Sequence, residues 1–81
     1  MPKVHLWSGL RPLADGRDVV YVEGETVGAL LAALKHAYPG MAASIDNGVS
    51  VAVDGRVIAS SLNEEVRDDS EIFLMQRLRG G

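Results

Sequence analysis

Residues 26 to 40 spell one amphipathic helix with both ends marked, and no other segment narrows the choice of fold as far. Val27, Leu30, Leu31, Leu34 and Tyr38 recur at the three- and four-residue spacing that lines one helical face. Thr26 stands where an N-cap belongs, with a hydroxyl able to accept from a free backbone N–H of the first turn. Ala29, Ala32, Ala33 and Ala37 supply helix propensity and permit close packing. Pro39-Gly40 closes the helix, because proline cannot continue it and glycine accepts the left-handed turn that follows. Gly28 costs about 1 kcal/mol relative to alanine inside a helix; it either admits a close strand or loop, or is neutral. A helix with one apolar face needs a second layer to cover it.

That layer reads as a sheet. Val4 and Leu6 alternate with Lys3, His5 and Trp7, the period of a half-buried strand. Gly9 to Gly16, with Pro12 and Asp15-Gly16, form a turn or open loop. Val19 to Val22 follow as a second strand closed by Glu23-Gly24, which makes a hairpin with an irregular connection. Beyond the helix, Met41 to Gly48 read as a loop of low regularity. Val49, Val51 and Val53 alternate with Ser50 and Ala52, Asp54-Gly55 marks a two-residue hairpin turn, and Arg56-Val57-Ile58 returns. Ser60 to Asp69 is polar, with Leu62 and Val66 as anchors, and Ile72 to Met75 form the last strand. The order β-β-α-β-β-β describes an α+β two-layer roll. Its expected core is Val4, Leu6, Val20, Val22, Leu30, Leu31, Leu34, Val51, Val53, Ile72 and Leu74.

Composition removes several classes of function. With 81 residues and no break in composition, the chain is one domain. A domain of this size buries about 60% of its unfolded surface, and 47% hydrophobic content suffices for one core. Without cysteine there is no disulfide, thiolate metal site or cysteine nucleophile, which fits a reducing, cytoplasmic setting. No secretory signal is visible at the N-terminus, and no apolar run approaches the roughly 18 residues of a membrane span. A net charge of −3 gives no reason to expect nucleic acid as the partner. His5 and His36 have no carboxylates at ligand spacing, so no metal site is expected. The acidic groups Glu64-Glu65 and Asp68, Asp69 and Glu71 read as solvated turns, and Ser60-Ser61 lacks partners for a triad.

The chemistry of the chain lies at its end, Arg77-Leu78-Arg79-Gly80-Gly81. The expected division is a folded domain over 1–76 and a flexible tail over 77–81. Two glycines carry a carboxylate on a thin arm that can thread a narrow channel, where any larger side chain would block entry. Taken in order, Thr26 to Leu34 through Tyr38-Pro39, then Val51 to Gly55, then Arg67 to Glu71 before the last strand, and finally Gly80-Gly81, the chain resembles the MoaD/ThiS family of ubiquitin-like sulfur-carrier proteins. The resemblance covers most of the sequence and implies a β-grasp roll with a mixed sheet of four to five strands on one main helix. The approach to the diglycine, Gln76-Arg77-Leu78-Arg79, instead looks like the end of ubiquitin.

The resemblance implies a chain that is a covalent substrate rather than an enzyme. A carboxylate is a poor acyl donor, and ATP corrects this by forming an acyl-adenylate at Gly81 whose leaving group is AMP. An E1-like adenylyltransferase would supply that step. No Gly-rich loop followed by Lys-Ser or Lys-Thr is present here, so the chain is expected to bind no ATP and no other cofactor itself. A sulfurtransferase or cysteine desulfurase would then deliver sulfur to give a thiocarboxylate, for use by a molybdopterin synthase large subunit, a thiamin pathway or another acceptor. Conjugation through Gly81 to a lysine, as a protein modifier, is the alternative fate. The docking residues expected are Arg77, Leu78 and Arg79 on the tail, with His5, Trp7, Phe73, Met75 and Ala52 turned outward on the sheet. Trp7 and Phe73 have a second reading, in which they pack under the Gly9 to Gly16 loop. If Arg77 and Arg79 steer the tail into an acidic groove, exchanging both for glutamate slows adenylation, most at low salt where charges are least screened. Adenylation rates measured across a salt series check this, and unchanged rates would remove the steering role.

Overall fold

The computed structural model describes residues 1–58 and 62–76. Strands β1 (Lys3–His5) and β2 (Val19–Tyr21) form an antiparallel pair with Val4 opposite Val20. Helix α1 (Val27–Ala37) and the short helix α2 (Ala42–Asp46) precede the hairpin of β3 (Val49–Val53) and β4 (Arg56–Ile58), and β5 (Glu71–Gln76) comes last. Among the described residues the strands make one mixed sheet in the order β2-β1-β5-β3-β4. β5 is therefore central, parallel to β1 and antiparallel to β3. Parallel neighbours need a long crossover, and α1 lies in the connection that provides it. This is the β-grasp roll expected from the sequence. Among the described residues no helix is long and apolar enough to cross a membrane.

Every residue of the expected core is buried in one cluster. Leu10, Ala14, Val27, Met41, Ile45, Ile58 and Val66 join it. Leu10 and Ala14 belong to the connection read as an open loop, which instead folds inward through a 3₁₀ turn over Arg11–Ala14. Met41 to Gly48, expected to be irregular, forms a 3₁₀ turn over Pro39–Met41 and then α2. The cause is burial: Met41 and Ile45, one helical turn apart, both enter the core, and Lys35 Nζ donates to Asp46 Oδ1 at 2.9 Å across the two helices.

The helix α1 ends differently from the expected way. Gly40 is not left-handed; it lies in the 3₁₀ turn that Pro39 begins. Tyr38 breaks the helix with φ −131° and ψ 79°, because a residue that precedes proline is driven out of the helical region. At the other hairpin the expectation holds: Asp54 and Gly55 adopt φ values of 50° and 87°, those of a tight β-turn matched to the sheet twist.

The start of α1 explains the polar segment before β5. The first N–H groups of a helix have no partners within it. Here Ala29 donates to Thr26 Oγ1 at 3.1 Å, Val27 to the Glu64 carbonyl at 3.0 Å and Gly28 to the Leu62 carbonyl at 2.9 Å. Leu62 thus anchors the segment by its backbone; its side chain, expected to be buried, is 58% exposed. The close pass settles the role of Gly28, where a Cβ would stand 3.1 Å from the Leu62 carbonyl oxygen.

Gly24 is more tightly enclosed. A Cβ there would fall 2.6 Å from the Leu30 nitrogen and 2.7 Å from its Cα, against backbone that cannot rotate away. Gly24→Ala is expected to cost about 2 kcal/mol, the scale of an overpacked core site. Urea unfolding of the variant beside the native chain measures this.

Candidate functional surface

The face of the sheet turned away from α1 carries an apolar row set by strand register. His5 stands opposite Val19 on β2 and Phe73 on β5, Phe73 opposite Ala52 on β3, and Ala52 opposite Val57 on β4. The row Val19, His5, Phe73, Ala52, Val57 therefore crosses the whole sheet. Because side chains alternate across a strand, Glu71 and Met75 share this face with Phe73. Trp7, just past the end of β1, joins His5, Phe73, Met75, Ala52 and Val57 in lining one shallow groove. Arg11 and Asp18 add charged groups to its lining.

The row contains well-defined contacts. The imidazole of His5 and the ring of Phe73 stack with centroids 4.1 Å apart and planes 5° from parallel. His5 Nε2 lies 2.8 Å from Glu71 Oε1. The backbone below is tied down: Glu71 N–H donates to Asp54 Oδ1, and Asp54 N–H donates to the Glu71 carbonyl, each at 2.9 Å. Phe73 is 38% exposed and Val57 68% exposed, so the apolar surface remains open to solvent.

Of the expected docking residues, His5, Trp7, Phe73 and Met75 come together at this groove. Trp7 also satisfies its second reading in part: it is half-buried against the core, and its Nε1 lies 2.7 Å from where a Cβ on Gly9 would be. Phe73 stacks on His5, and Arg11 of the Gly9 to Gly16 segment lines the same groove. Ala52 faces outward by register yet is only 7% exposed, enclosed in the row between Phe73 and Val57. Arg77, Leu78, Arg79, Gly80 and Gly81 lie outside the described residues. The strand that leads to them is β5, the one that carries Phe73 and Met75.

Two members of the surface escaped the sequence reading. Glu71 sits in an acidic run that reads as a solvated turn, although its spacing of two from Phe73 places it on the same face. Val57 reads in the sequence only as part of a returning strand, although a two-residue turn at Asp54-Gly55 fixes it opposite Ala52.

The model of the ThiS family matches residues 4–81. No curated protein matches the sequence. Among solved structures, the chain is similar to small archaeal modifier protein 1 of Haloferax volcanii, at 28% identity and TM-score 0.73, over 99% of this chain and 98% of that one. The same-named protein of Methanosarcina acetivorans is similar at 25% identity and TM-score 0.82, over 99% and 95% of the two chains. A chain of the Amycolatopsis orientalis BexX/CysO complex shares the fold at TM-score 0.83 and 20% identity, over 100% of both chains.

Neighbouring residues of β5 face opposite layers, and their substitutions should separate accordingly. Phe73→Ala is expected to lose about 1 kcal/mol, the worth of an aromatic pair. Leu74→Ala, which opens a cavity in the core, should lose about 3 kcal/mol. Paired denaturant titrations read the difference.

Proposed function

This chain belongs to the ThiS family, and we propose that it is a cytoplasmic sulfur carrier whose Gly81 carboxylate is the reacting group. The observation that carries this reading is the extent of the family match, which runs through the body and on to Gly80-Gly81 at the end. An E1-like adenylyltransferase joins the Gly81 carboxylate to AMP from ATP and releases pyrophosphate. The outer sulfur of a persulfide on a sulfurtransferase or cysteine desulfurase then displaces AMP to give an acyl disulfide, and a second thiol breaks its S–S bond, releasing the thiocarboxylate as that thiol and the enzyme sulfur join in a disulfide. The carrier passes this sulfur to an acceptor enzyme such as a molybdopterin synthase large subunit or its counterpart in another thiolation pathway.

In this reading the molecule divides its work along β5. The apolar row around Phe73 docks the body on the activating enzyme, since partner sites on small domains are often such open apolar patches. The tail from Arg77 onward then spans the distance to the nucleotide. Glycine at 80 and 81 keeps that path narrow. The chain's own side chains perform no bond chemistry; they position the carboxylate.

A second reading shares the activation step and differs in the acceptor. The ubiquitin-like Arg77-Leu78-Arg79 approach and the 28% identity to small archaeal modifier protein 1 support attachment of Gly81 to lysines of target proteins.

Mass spectrometry of N-terminally tagged protein, captured from its host with sulfur groups alkylated at lysis, tests both. The carrier reading expects a C-terminus with one oxygen replaced by sulfur, lost completely on deleting Gly81 while the fold is retained. A Gly-Gly remnant on lysines of other proteins after tryptic cleavage beyond Arg79, with no thiocarboxylate, would transfer the assignment to the modifier.

A further inference from the structure

The contact between Glu71 and His5 has no evident purpose in stability. Both side chains are partly solvated, at 50% and 26% relative exposure, and exposed pairs of this kind contribute little to folding. Its geometry is nevertheless specific. In the parallel register Glu71 stands opposite Lys3 and Phe73 opposite His5, yet the Glu71 carboxylate reaches diagonally to His5 rather than to Lys3. Among the described residues Glu71 makes no other ion pair. One imidazole is thus held from two directions, by a hydrogen bond at Nε2 and by the face of Phe73.

A carboxylate can only accept, so His5 Nε2 carries the proton and donates. In the neutral ring this leaves Nδ1 as the acceptor, and the tautomer is set by the second partner of the imidazole. With the ring plane fixed, its stacking on Phe73 fixes the phenyl ring as well. We propose that Glu71 is a positioning residue for the docking face, locking His5 and through it Phe73 into one preorganised platform for the activating enzyme. The inference rests on the reading of this face as the docking surface given above. Aromatic side chains ordered before association lose less freedom on binding, and a site is held best when a supporting side chain locks its rotamers on a rigid element. β1 and β5, both interior to the sheet, are such elements.

The test uses the full chain with Glu71→Ala and Glu71→Gln. Both keep the two backbone bonds to Asp54, and glutamine keeps a side-chain acceptor for His5. Long-range ¹⁵N–¹H spectra of His5 should show the Nε2–H tautomer in the native chain and in Glu71→Gln, and a mixture of tautomers in Glu71→Ala. Titration onto the host's E1-like adenylyltransferase should show Glu71→Ala weaker by about threefold to tenfold, within the cost of freeing one or two side chains, with Glu71→Gln near native. Mixed tautomers in the native chain, or native affinity in Glu71→Ala while Phe73→Ala binds weakly, overturns the positioning role and leaves the docking face standing. Native affinity in a folded Phe73→Ala overturns the docking reading itself, and the positioning role with it.

Discussion

The fold hangs on how the first turn of α1 is satisfied. Three backbone N–H groups at Val27, Gly28 and Ala29 find their acceptors in the Glu64 carbonyl, the Leu62 carbonyl and the Thr26 hydroxyl. Two of these come from a segment far along the chain, so the first turn of the helix is satisfied only where the residues before β5 cross it. The crossing must be close, which is why Gly28 lies under Leu62. The Val66 N–H closes the crossing by donating to the Glu25 carbonyl at 2.9 Å. From there the Ser70 hydroxyl, accepting from the Arg67 N–H at 2.9 Å, turns the chain into β5. The segment that satisfies the helix is therefore the one that delivers the central strand, and with it the apolar row around Phe73.

Much of this was legible because each layer has one dominant period. Alternation in Val49 to Val53 and in Ile72 to Leu74, and the helical repeat of Leu30 and Leu34, each name a buried face without reference to the other layer. What escaped was short or non-local. α2 spans only Ala42–Asp46, too brief for propensity to declare a helix; it exists because Met41 and Ile45 have a core to enter. Gly40 followed the usual rule for a helix end, but Pro39 immediately before it began a new turn and shifted the break to Tyr38. Gly24 carries its constraint in its distance to Leu30, which no local pattern expresses. Glu71 was hidden by its acidic neighbours Asp68 and Asp69, whose company suggested solvent rather than His5. The tail, conversely, is read from its residue types alone.

A chain activated at its end by another enzyme, as proposed for this one, must be recognised as a body and processed as a peptide, and the two demands conflict. Recognition wants rigid surface, whereas entry to a narrow channel wants slender backbone. Under the proposed function β5 would resolve the conflict by sequence position: Glu71, Phe73 and Met75 share one face of the sheet, and the residues after Gln76 would be left to the channel. The family match across 4–81 embraces both parts.

Placing β5 beside β1 in parallel has a mechanical consequence. The chain enters the sheet at Lys3 and leaves it at Gln76 on adjoining strands that run the same way. Tension applied between the two ends draws these strands past each other along their length. The bonds that join them are then loaded together in shear rather than opened one after another like a zipper. A pull on the end of β5 against a held start of β1 therefore meets the sheet in its most resistant direction.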